Sequence, residues 1–213
     1  MAAAIDMYRR SVEEFGQRLM AIGADDWAQP TPCAEWSVRD LVRHLVYEEL
    51  WTPPLLAGAT VAEIGDRFEG DILGDDPQVA WKEAAAHAVA AATPSTLDRT
   101  VHLSFGDFPG RDYLGQLTAD HTIHAWDLAR GINADERLDP ELVQFVHDFM
   151  APQAEQWAAA GVFAAPVDVP ADADVQSKLL AMSGRADASC DDDVHPHITL
   201  VGELRLSRMH PHP

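Results

Sequence analysis

Apolar residues recur mostly at helical spacing along this chain. In residues 3–22, the apolar positions that share one helical face are Ile5, Val12, Phe15, Leu19 and Ile22. Gly23 follows them and favours the end of a first helix. A second helix is predicted from Val38 to about residue 51, because Ser37 and Asp40 have the spacing of a capping box. The proline pair within residues 52–54 favours its end.

The central part of the chain contains three further helical patterns and one extended pattern. A short helical piece is predicted at residues 61–68. The Asp76-Pro77 pair is typical of a helix start and opens an alanine-rich helix to about residue 92. Residues 100–108 alternate weakly and predict a short strand or extended segment. A long helix follows over about residues 111–130.

Two more helices are predicted near the end, at residues 139–160 and 174–183. The pattern as a whole predicts a mainly α fold, and a four-helix bundle with short extra helices and inserted loops is its natural architecture. We assign residues 1–187 to this bundle and residues 188–213 to a C-terminal tail. A strand packed on the bundle, a partner-binding arm and partial disorder all stay open for the tail. Its terminal His-Pro-His-Pro is disfavoured as a metal site, because chain ends usually fray.

Composition narrows the classes of protein that fit. The 213 residues are 47% hydrophobic, which is enough for a real core, and their formal net charge is −20. Such a surface repels phosphates and anionic lipids, so nucleic acids and membranes are excluded as partners. No apolar run reaches the roughly 18 residues that a membrane-spanning helix needs. The N-terminal segment carries charges where a signal peptide needs an apolar stretch, so we expect a cytoplasmic protein.

The stretch ADHTIHAWDLARG (residues 119–131) lies on the long helix and carries the candidate chemistry. Asp120 and His124 are four residues apart, so their side chains project from the same helical face and can converge on one cation. A third ligand must then come from another helix. His44 is the best candidate, because it lies on a mostly apolar stretch of the second helix. Helical bundles build metal sites in this way, from inward-facing residues of different helices.

Plainer interpretations of the same stretch stay open at this point. Spacing alone is a weak signal for a metal site and favours a satisfied structural pair or a solvated helix face instead. His121 is three residues from His124 but lies about 100° around the helix from Asp120, so these residues cannot all point equally inward. Asp127 precedes Arg130 by three residues, which predicts an ion pair within the helix.

The remaining polar residues give weaker signals. Glu48 lies one turn beyond His44, where it either supports the site as a hydrogen-bond acceptor or faces solvent. No ligand-spaced partner is found for three other histidines, which are His87, His102 and His147. Cys33 and Cys190 form no CxxC pair, and Cys33 is expected to be a packed residue rather than a nucleophile. Motifs of nucleophile elbows, phosphate-binding loops and dinucleotide folds are missing from the sequence.

Two sequence blocks resemble a known protein family. They are WAQPTPCAEWSVRDLVRHL (27–45) and ADHTIHAWDLARG (119–131), and SKLLAMSGR (177–185) follows them. The chain resembles actinobacterial metal-binding proteins related to the N-terminal domain of mycothiol-dependent maleylpyruvate isomerase, within the DinB-like superfamily of four-helix bundles. The resemblance covers about residues 5–187, and its most specific parts are the tPCxxWxVRDLxxH and HxWDLAR patterns.

The resemblance implies three ligands for a divalent metal, most often zinc, with nickel or another ion as alternatives. They fall on His44, Asp120 and His124, the same residues that helix geometry proposed. The isomerase has a glutamate at the position of Asp120, and the shorter aspartate reaches less far. The implied chemistry is that of a metal-dependent thiol transferase or isomerase. In that chemistry the cation lowers the pKa of a small thiol such as mycothiol, which then attacks a small electrophile.

Two alternatives to this function stay open from the sequence. One is a non-catalytic helical bundle that binds a metal or another ligand. The other is a metal-dependent hydrolase, in which the same ion activates water. A small-molecule thiol and an electrophilic substrate are the expected partners, and a homodimer stays open.

Overall fold

The computed structural model describes residues 2–33, 36–159 and 165–185. Its α-helices are α1 (Ala2–Leu19), α2 (Val38–Leu56), α3 (Val61–Ile64), α4 (Pro77–Ala91), α5 (Gly110–Gly131), α6 (Pro140–Met150), α7 (Ala154–Ala159) and α8 (Val175–Met182). Two 3-10 turns cover Pro94–Thr96 and Ala151–Gln153, and two strands are β1 (Thr100–Leu103) and β2 (Gly106–Pro109). The mainly α fold predicted from the sequence is confirmed. The tail at residues 188–213, with Cys190, lies outside the described residues.

Four long helices form the bundle. α1 packs chiefly against α5, α2 packs chiefly against α4, and contacts of α2 with α5 and of α1 with α4 close the arrangement. α6 and α8 pack on each other, and α6 also contacts α5. Large side chains that are fully buried between these helices include Tyr8, Phe15, Leu41, Leu45 and Leu114. None of the described helices combines the length and the apolar character that crossing a membrane requires.

α5 is the central helix and holds most of the candidate chemistry. Of its 22 residues, 18 are buried, including the whole segment from Tyr113 to Ala129. A helix that is buried on all sides packs its polar residues inside the protein rather than against water. The polar residues of ADHTIHAWDLARG therefore face other helices, and a solvated helix face is excluded for this stretch.

The sequence predicted that α2 ends at its proline pair, but the helix continues past it. Pro53 and Pro54 lie inside the helix, which continues to Leu56. An interior proline costs about 3 kcal/mol, because it removes a backbone N–H and crowds the preceding turn. Leu55 and Leu56 are 0% and 1% exposed, and burying a leucine contributes about 1.5–3 kcal/mol. Burial of these two leucines therefore offsets the proline cost and keeps the last turn helical.

Three other predicted elements also differ from the structure. The extended segment at residues 100–108 is an antiparallel hairpin, in which Thr100 pairs with Pro109 and Leu103 pairs with Gly106. The helix predicted at residues 61–68 ends at Ile64, where Gly65 turns the chain with φ 63°. The helix predicted to reach residue 160 ends at Met150, and a 3-10 turn that contains a proline separates it from α7.

Two glycines of α5 lie against neighbouring segments. A Cβ atom added at Gly110 would lie 2.1 Å from the backbone oxygen of Thr96, whereas one at Gly115 would lie 2.6 Å from the ring of Phe149. A backbone carbonyl cannot move aside without disturbing its own turn, but a half-buried phenyl ring can rotate. Close packing at Gly110 therefore fixes the start of α5 against the preceding segment.

We expect Gly110→Ala to lower the free energy of unfolding by about 2–3 kcal/mol, the upper range for overpacking. Gly115→Ala is the matched control and should cost about 1 kcal/mol, because Phe149 can yield. Urea denaturation followed by circular dichroism measures both values. Equal midpoints for the two variants would contradict the close approach at Thr96.

Candidate metal centre

The structure brings the three predicted ligand residues together between α2 and α5. His44 Nε2 lies 3.1 Å from Asp120 Oδ2, and His124 Nε2 lies 3.3 Å from Asp120 Oδ1. One ligand atom from each of the three residues lies within 4.8 Å of the other two. His44 is 7% exposed, and Asp120 and His124 are completely buried. We call these three residues the His–Asp–His cluster.

Local sequence explains why His44 faces α5. A capping box starts α2, in which the Ser37 backbone N–H donates to Asp40 Oδ2 at 2.9 Å and the Asp40 N–H donates to Ser37 Oγ at 3.3 Å. Seven residues, or about two turns, separate this cap from His44. The neighbouring Leu41 and Leu45 are fully buried, so the same face of α2 points into the bundle.

Two atoms of the cluster are buried without a hydrogen bond. Asp120 Oδ1 and His124 Nε2 face each other at 3.3 Å, yet among the described residues neither has a hydrogen-bond partner. Leaving a buried polar atom unsatisfied costs about 1–3 kcal/mol. Two donor atoms that share a tetrahedral zinc ion at about 2.0–2.1 Å lie roughly 3.3 Å apart. Two imidazole nitrogens and one carboxylate oxygen in this arrangement therefore fit a divalent cation.

Charge in the cluster follows from burial and from mutual contact. Burial raises the pKa of Asp120, but His44 and His124 outweigh it and hold that pKa below its usual range, so the carboxylate is ionised. Burial lowers the pKa of His44 and keeps its imidazole neutral. Burial also lowers the pKa of His124, but the carboxylates of Asp120 and Asp127 outweigh it and raise that pKa well above its usual range. A cation entering the cluster would displace a proton from His124.

The second nitrogen of His124 points to a different group of residues. Its Nδ1 lies 2.8 Å from Asp127 Oδ2 and 3.6 Å from Cys33 Sγ. Asp127 in turn contacts Arg185 of the segment that follows α8, and the Arg185 Nη2 to Asp127 Oδ2 distance is 2.7 Å. When a carboxylate accepts the Nδ1 proton of a histidine, the Nε2 lone pair is left for a ligand. In His124 the Nε2 atom faces Asp120, and its lone pair becomes available when a cation displaces the proton.

The ion pair that the sequence predicted between Asp127 and Arg130 is wrong. Asp127 is fully buried and pairs with Arg185. Arg130 lies over the ring of Trp126, with its guanidinium carbon 4.9 Å from the ring centroid, and it lies 3.6 Å from Glu136. The packing of the segment after α8 against α5 therefore outweighs the short spacing along the helix.

A second set of possible ligand atoms comes from Cys33, His124 and Asp127. The guanidinium of Arg185 already donates hydrogen bonds to Asp127, the carboxylate of this set, and it lies 3.6 Å from Cys33 Sγ. A metal ion there would have to lie beside a fixed positive charge. Burial and the Asp127 carboxylate raise the pKa of the Cys33 thiol, which keeps the sulfur neutral. Cys33 is 1% exposed, as expected for a packed residue, and the His–Asp–His cluster is the better metal site.

A second buried polar group lies deeper in the bundle. His121 Nε2 lies 3.0 Å from Glu49 Oε1, and its Nδ1 lies 3.4 Å from Ser11 Oγ. The Tyr8 hydroxyl donates to Glu49 Oε2 at 2.6 Å. His121 is thus committed to neighbours other than the cluster, as its angle on the helix predicted. Glu48 is completely buried, so the interpretation that it faces solvent is wrong.

Sequence reasoning missed one aromatic residue of the site. The ring centroid of Trp36 lies 5.0 Å from that of His44 and 5.9 Å from that of His124. Trp36 is half-buried and covers two of the three candidate ligands. Trp36 lies in the first sequence block, directly before the N-cap residue of α2, and this position could have indicated that it lies near His44. An aromatic cover lowers the local dielectric and strengthens charge interactions beneath it.

Three further histidines of the described residues lie apart from the cluster. His87 is exposed, whereas His102 pairs with Asp107 at 2.8 Å and His147 pairs with its neighbour Asp148 at 3.1 Å. A cavity of about 650 Å³ is found near the start of α6 and α8, but its lining includes none of the candidate ligands. The side chain of Gln176 in that cavity already bonds the backbone of neighbouring residues. The His–Asp–His cluster therefore remains the candidate site.

The fold and the cluster together define the class of this protein. The fold is a four-helix bundle in which α2 and α5 bring two histidines and one carboxylate together, as expected for a DinB-like bundle. The model of the mycothiol maleylpyruvate isomerase N-terminal domain matches residues 8–129, and the chain belongs to this family. The resemblance that the two sequence blocks indicated is thereby confirmed.

Relatives support the same assignment. Two uncharacterized proteins of Mycobacterium tuberculosis, from strains CDC 1551 / Oshkosh and ATCC 25618 / H37Rv, are each 33% identical over 139 residues. That alignment covers 63% of this chain and 70% of each relative. The crystal structure of the mycothiol-dependent maleylpyruvate isomerase matches with a TM-score of 0.60 and 15% identity, over 75% of this chain and 72% of the other. A histidine-to-alanine mutant of that isomerase matches with a TM-score of 0.59 and 13% identity over the same shares. At these identities the structures show a shared fold.

Proposed function

We propose that this protein is a metal-dependent thiol transferase or isomerase that uses mycothiol or a related small thiol. The observation that carries the proposal is the His–Asp–His cluster, in which two imidazole nitrogens and one carboxylate oxygen from α2 and α5 are buried and lie within 4.8 Å of one another. Membership of a family described by its mycothiol-dependent member favours a thiol as the co-substrate. The second reactant is a small electrophile.

The residues of the site have three different roles in this proposal. His44, Asp120 and His124 would hold a divalent cation, most often zinc, and three protein ligands leave one position open, as in catalytic rather than structural sites. When bound, such a cation would lower the pKa of a small thiol and so supply a nucleophile at neutral pH. Asp127 accepts the Nδ1 proton of His124 and keeps its Nε2 turned toward Asp120. Trp36 covers the two imidazoles and limits the access of water.

A catalytic ion fits better here than one that holds the helices together. Apolar side chains from α1, α2, α4 and α5 already fill the bundle on both sides of the cluster. Small domains that depend on a structural ion usually lack such a core. Removal of the ion by a chelator should therefore leave the helical fold in place.

The thiol assignment is tested on zinc-loaded protein with mycothiol, glutathione and bacillithiol. We expect mycothiol to raise the melting temperature, since a ligand that binds only the folded state stabilises it. We also expect faster conjugation of mycothiol to a generic haloarene than in the absence of protein. His124→Ala should remove both effects, whereas His87→Ala, an exposed histidine away from the cluster, should leave them unchanged.

Two results would count against a thiol transferase. If no thiol shifts the melting temperature and no conjugate forms, the non-catalytic bundle is favoured instead. If the loaded protein cleaves an activated ester or amide without any thiol, and His124→Ala loses this cleavage, the hydrolase is favoured.

A further inference from the structure

We infer that Arg185 is a positioning residue of the candidate metal centre, because its guanidinium fixes the carboxylate of Asp127 that orients the ring of His124. The inference deepens the proposed function and rests on it for the identity of the ligands. Arg185 follows α8, is 58 positions from Asp127 in the chain and lies outside the segment that the family model matches, residues 8–129. Arg185 ends the segment SKLLAMSGR (177–185), to which the sequence assigned no role at the cluster.

Arg185 holds Asp127 with two hydrogen bonds at once. Its Nε donates to Asp127 Oδ1 at 2.9 Å, and its Nη2 donates to Asp127 Oδ2 at 2.7 Å. This planar fork fixes both the place and the rotation of a carboxylate, which a single bond does not. Arg185 is 1% exposed, so water does not compete for these bonds. Its third nitrogen, Nη1, donates to the backbone oxygen of Ser183 at 3.0 Å and holds the guanidinium itself in place.

The fixed carboxylate then determines how His124 is presented. Asp127 Oδ2, the oxygen that Arg185 Nη2 contacts, also lies 2.8 Å from His124 Nδ1. An acceptor at that point fixes the ring rotation of His124 and places the ring proton on Nδ1. The other nitrogen, Nε2, then faces Asp120 at 3.3 Å, where it would bind a cation once its proton is displaced.

Charge supports the same roles. The guanidinium of Arg185 is always charged and has only donors, and it donates to both oxygens of Asp127, so the carboxylate acts as the acceptor. A neutral residue in place of Arg185 would leave Asp127 only the partners on its Oδ2 atom, His124 Nδ1 at 2.8 Å and Cys33 Sγ at 3.3 Å, and nothing would then fix the rotation of the carboxylate. The ring of His124 would then lose its fixed orientation although no ligand had been removed.

The test compares Arg185→Met and Arg185→Lys with the wild-type chain. Zinc affinity is measured by competition with a chromophoric chelator, and the absorption spectrum of bound cobalt(II) reports the geometry of the ligands. We expect Arg185→Met to weaken zinc binding by about 10–100-fold and to change the cobalt spectrum, as for other outer partners of ligating histidines. Arg185→Lys keeps the charge without the fork and should restore part of the affinity.

Arg10→Met is the matched control for the loss of a clamp between segments. Arg10 joins α1 to the start of α6 through Asp139 and Glu141, away from the cluster. Its replacement should lower the melting temperature and leave zinc affinity and the cobalt spectrum unchanged. If Arg185→Met does not fold, Arg185→Lys must still show the weaker affinity, because one ammonium group cannot grip both carboxylate oxygens.

A measurement on metal-free protein separates this inference from the proposed function. Nitrogen-15 NMR of the histidine rings should show His124 protonated at Nδ1 in a fixed hydrogen bond, and Arg185→Met should broaden or shift that signal. Wild-type affinity, cobalt spectrum and ring signal in both Arg185 variants would overturn the inference and leave the function standing. If wild-type protein takes up no metal while the ring signal responds to Arg185→Met, the proposed function fails and the orienting role stands.

Discussion

Replacing His124 with alanine should lower zinc affinity by more than the roughly 100-fold that changing an outer partner causes. The substitution removes one of three ligands and also the nitrogen that faces Asp120 at 3.3 Å. His44→Ala should have a similar effect, because the remaining pair on α5 cannot close a three-ligand site. Elemental analysis of protein purified under the same conditions measures the bound metal per chain.

The matched control for these variants is His87→Ala, since His87 is exposed and lies on α4 away from the cluster. It should bind as much metal as the wild-type chain. The helical circular dichroism of His44→Ala and His124→Ala should persist, because the apolar core does not depend on either imidazole. Full metal content in both variants would overturn the assignment of His44, Asp120 and His124 as ligands.

Asp127→Ala should produce the largest loss of stability among single substitutions at the site, about 3–5 kcal/mol. The substitution leaves Arg185 charged, 1% exposed and without the carboxylate that receives two of its hydrogen bonds. An uncompensated buried charge is among the most destabilising defects in a protein interior. Urea denaturation followed by circular dichroism gives the free energy of unfolding for the variant and the wild type.

A double variant checks the physical reason for that loss. Asp127→Ala combined with Arg185→Met removes both charges, so it should be more stable than Asp127→Ala alone. If the double variant has a lower free energy of unfolding than Asp127→Ala, the unpaired charge of Arg185 is not the cause of the loss. Asp127→Asn, which keeps one oxygen acceptor for Arg185, should fall between Asp127→Ala and the wild type.

The ligand residues of the candidate site could be found from the sequence because their placement is local. Asp120 and His124 share a helical face by their spacing of four residues, and the capping box of α2 fixes which face of that helix carries His44. The family resemblance pointed to the same three residues. Their juxtaposition needed only that two neighbouring helices pack face to face.

The supporting residues could not be found in this way, because their contacts join distant parts of the chain. Arg185 meets Asp127 across 58 positions, and Tyr8 meets Glu49 across 41. Spacing along α5 favoured Arg130 as the partner of Asp127. The actual partner is Arg185, because α8 and the residues after it pack on the bundle beside Asp127. The continuation of α2 through its prolines likewise depends on tertiary burial of Leu55 and Leu56, which a local rule for proline does not contain.

The capping box of α2 has a consequence for how the chain can vary in length. Each residue advances a helix by about 100°. The seven positions from Ser37 to His44 therefore set the direction in which the imidazole projects from the helix. One residue inserted within that interval would rotate His44 by more than a quarter of a turn, away from Asp120. A residue inserted before Ser37 leaves that angle unchanged but shifts a segment whose Trp36 and Cys33 lie against the imidazoles, so an insertion on either side of the cap disturbs a different part of the site.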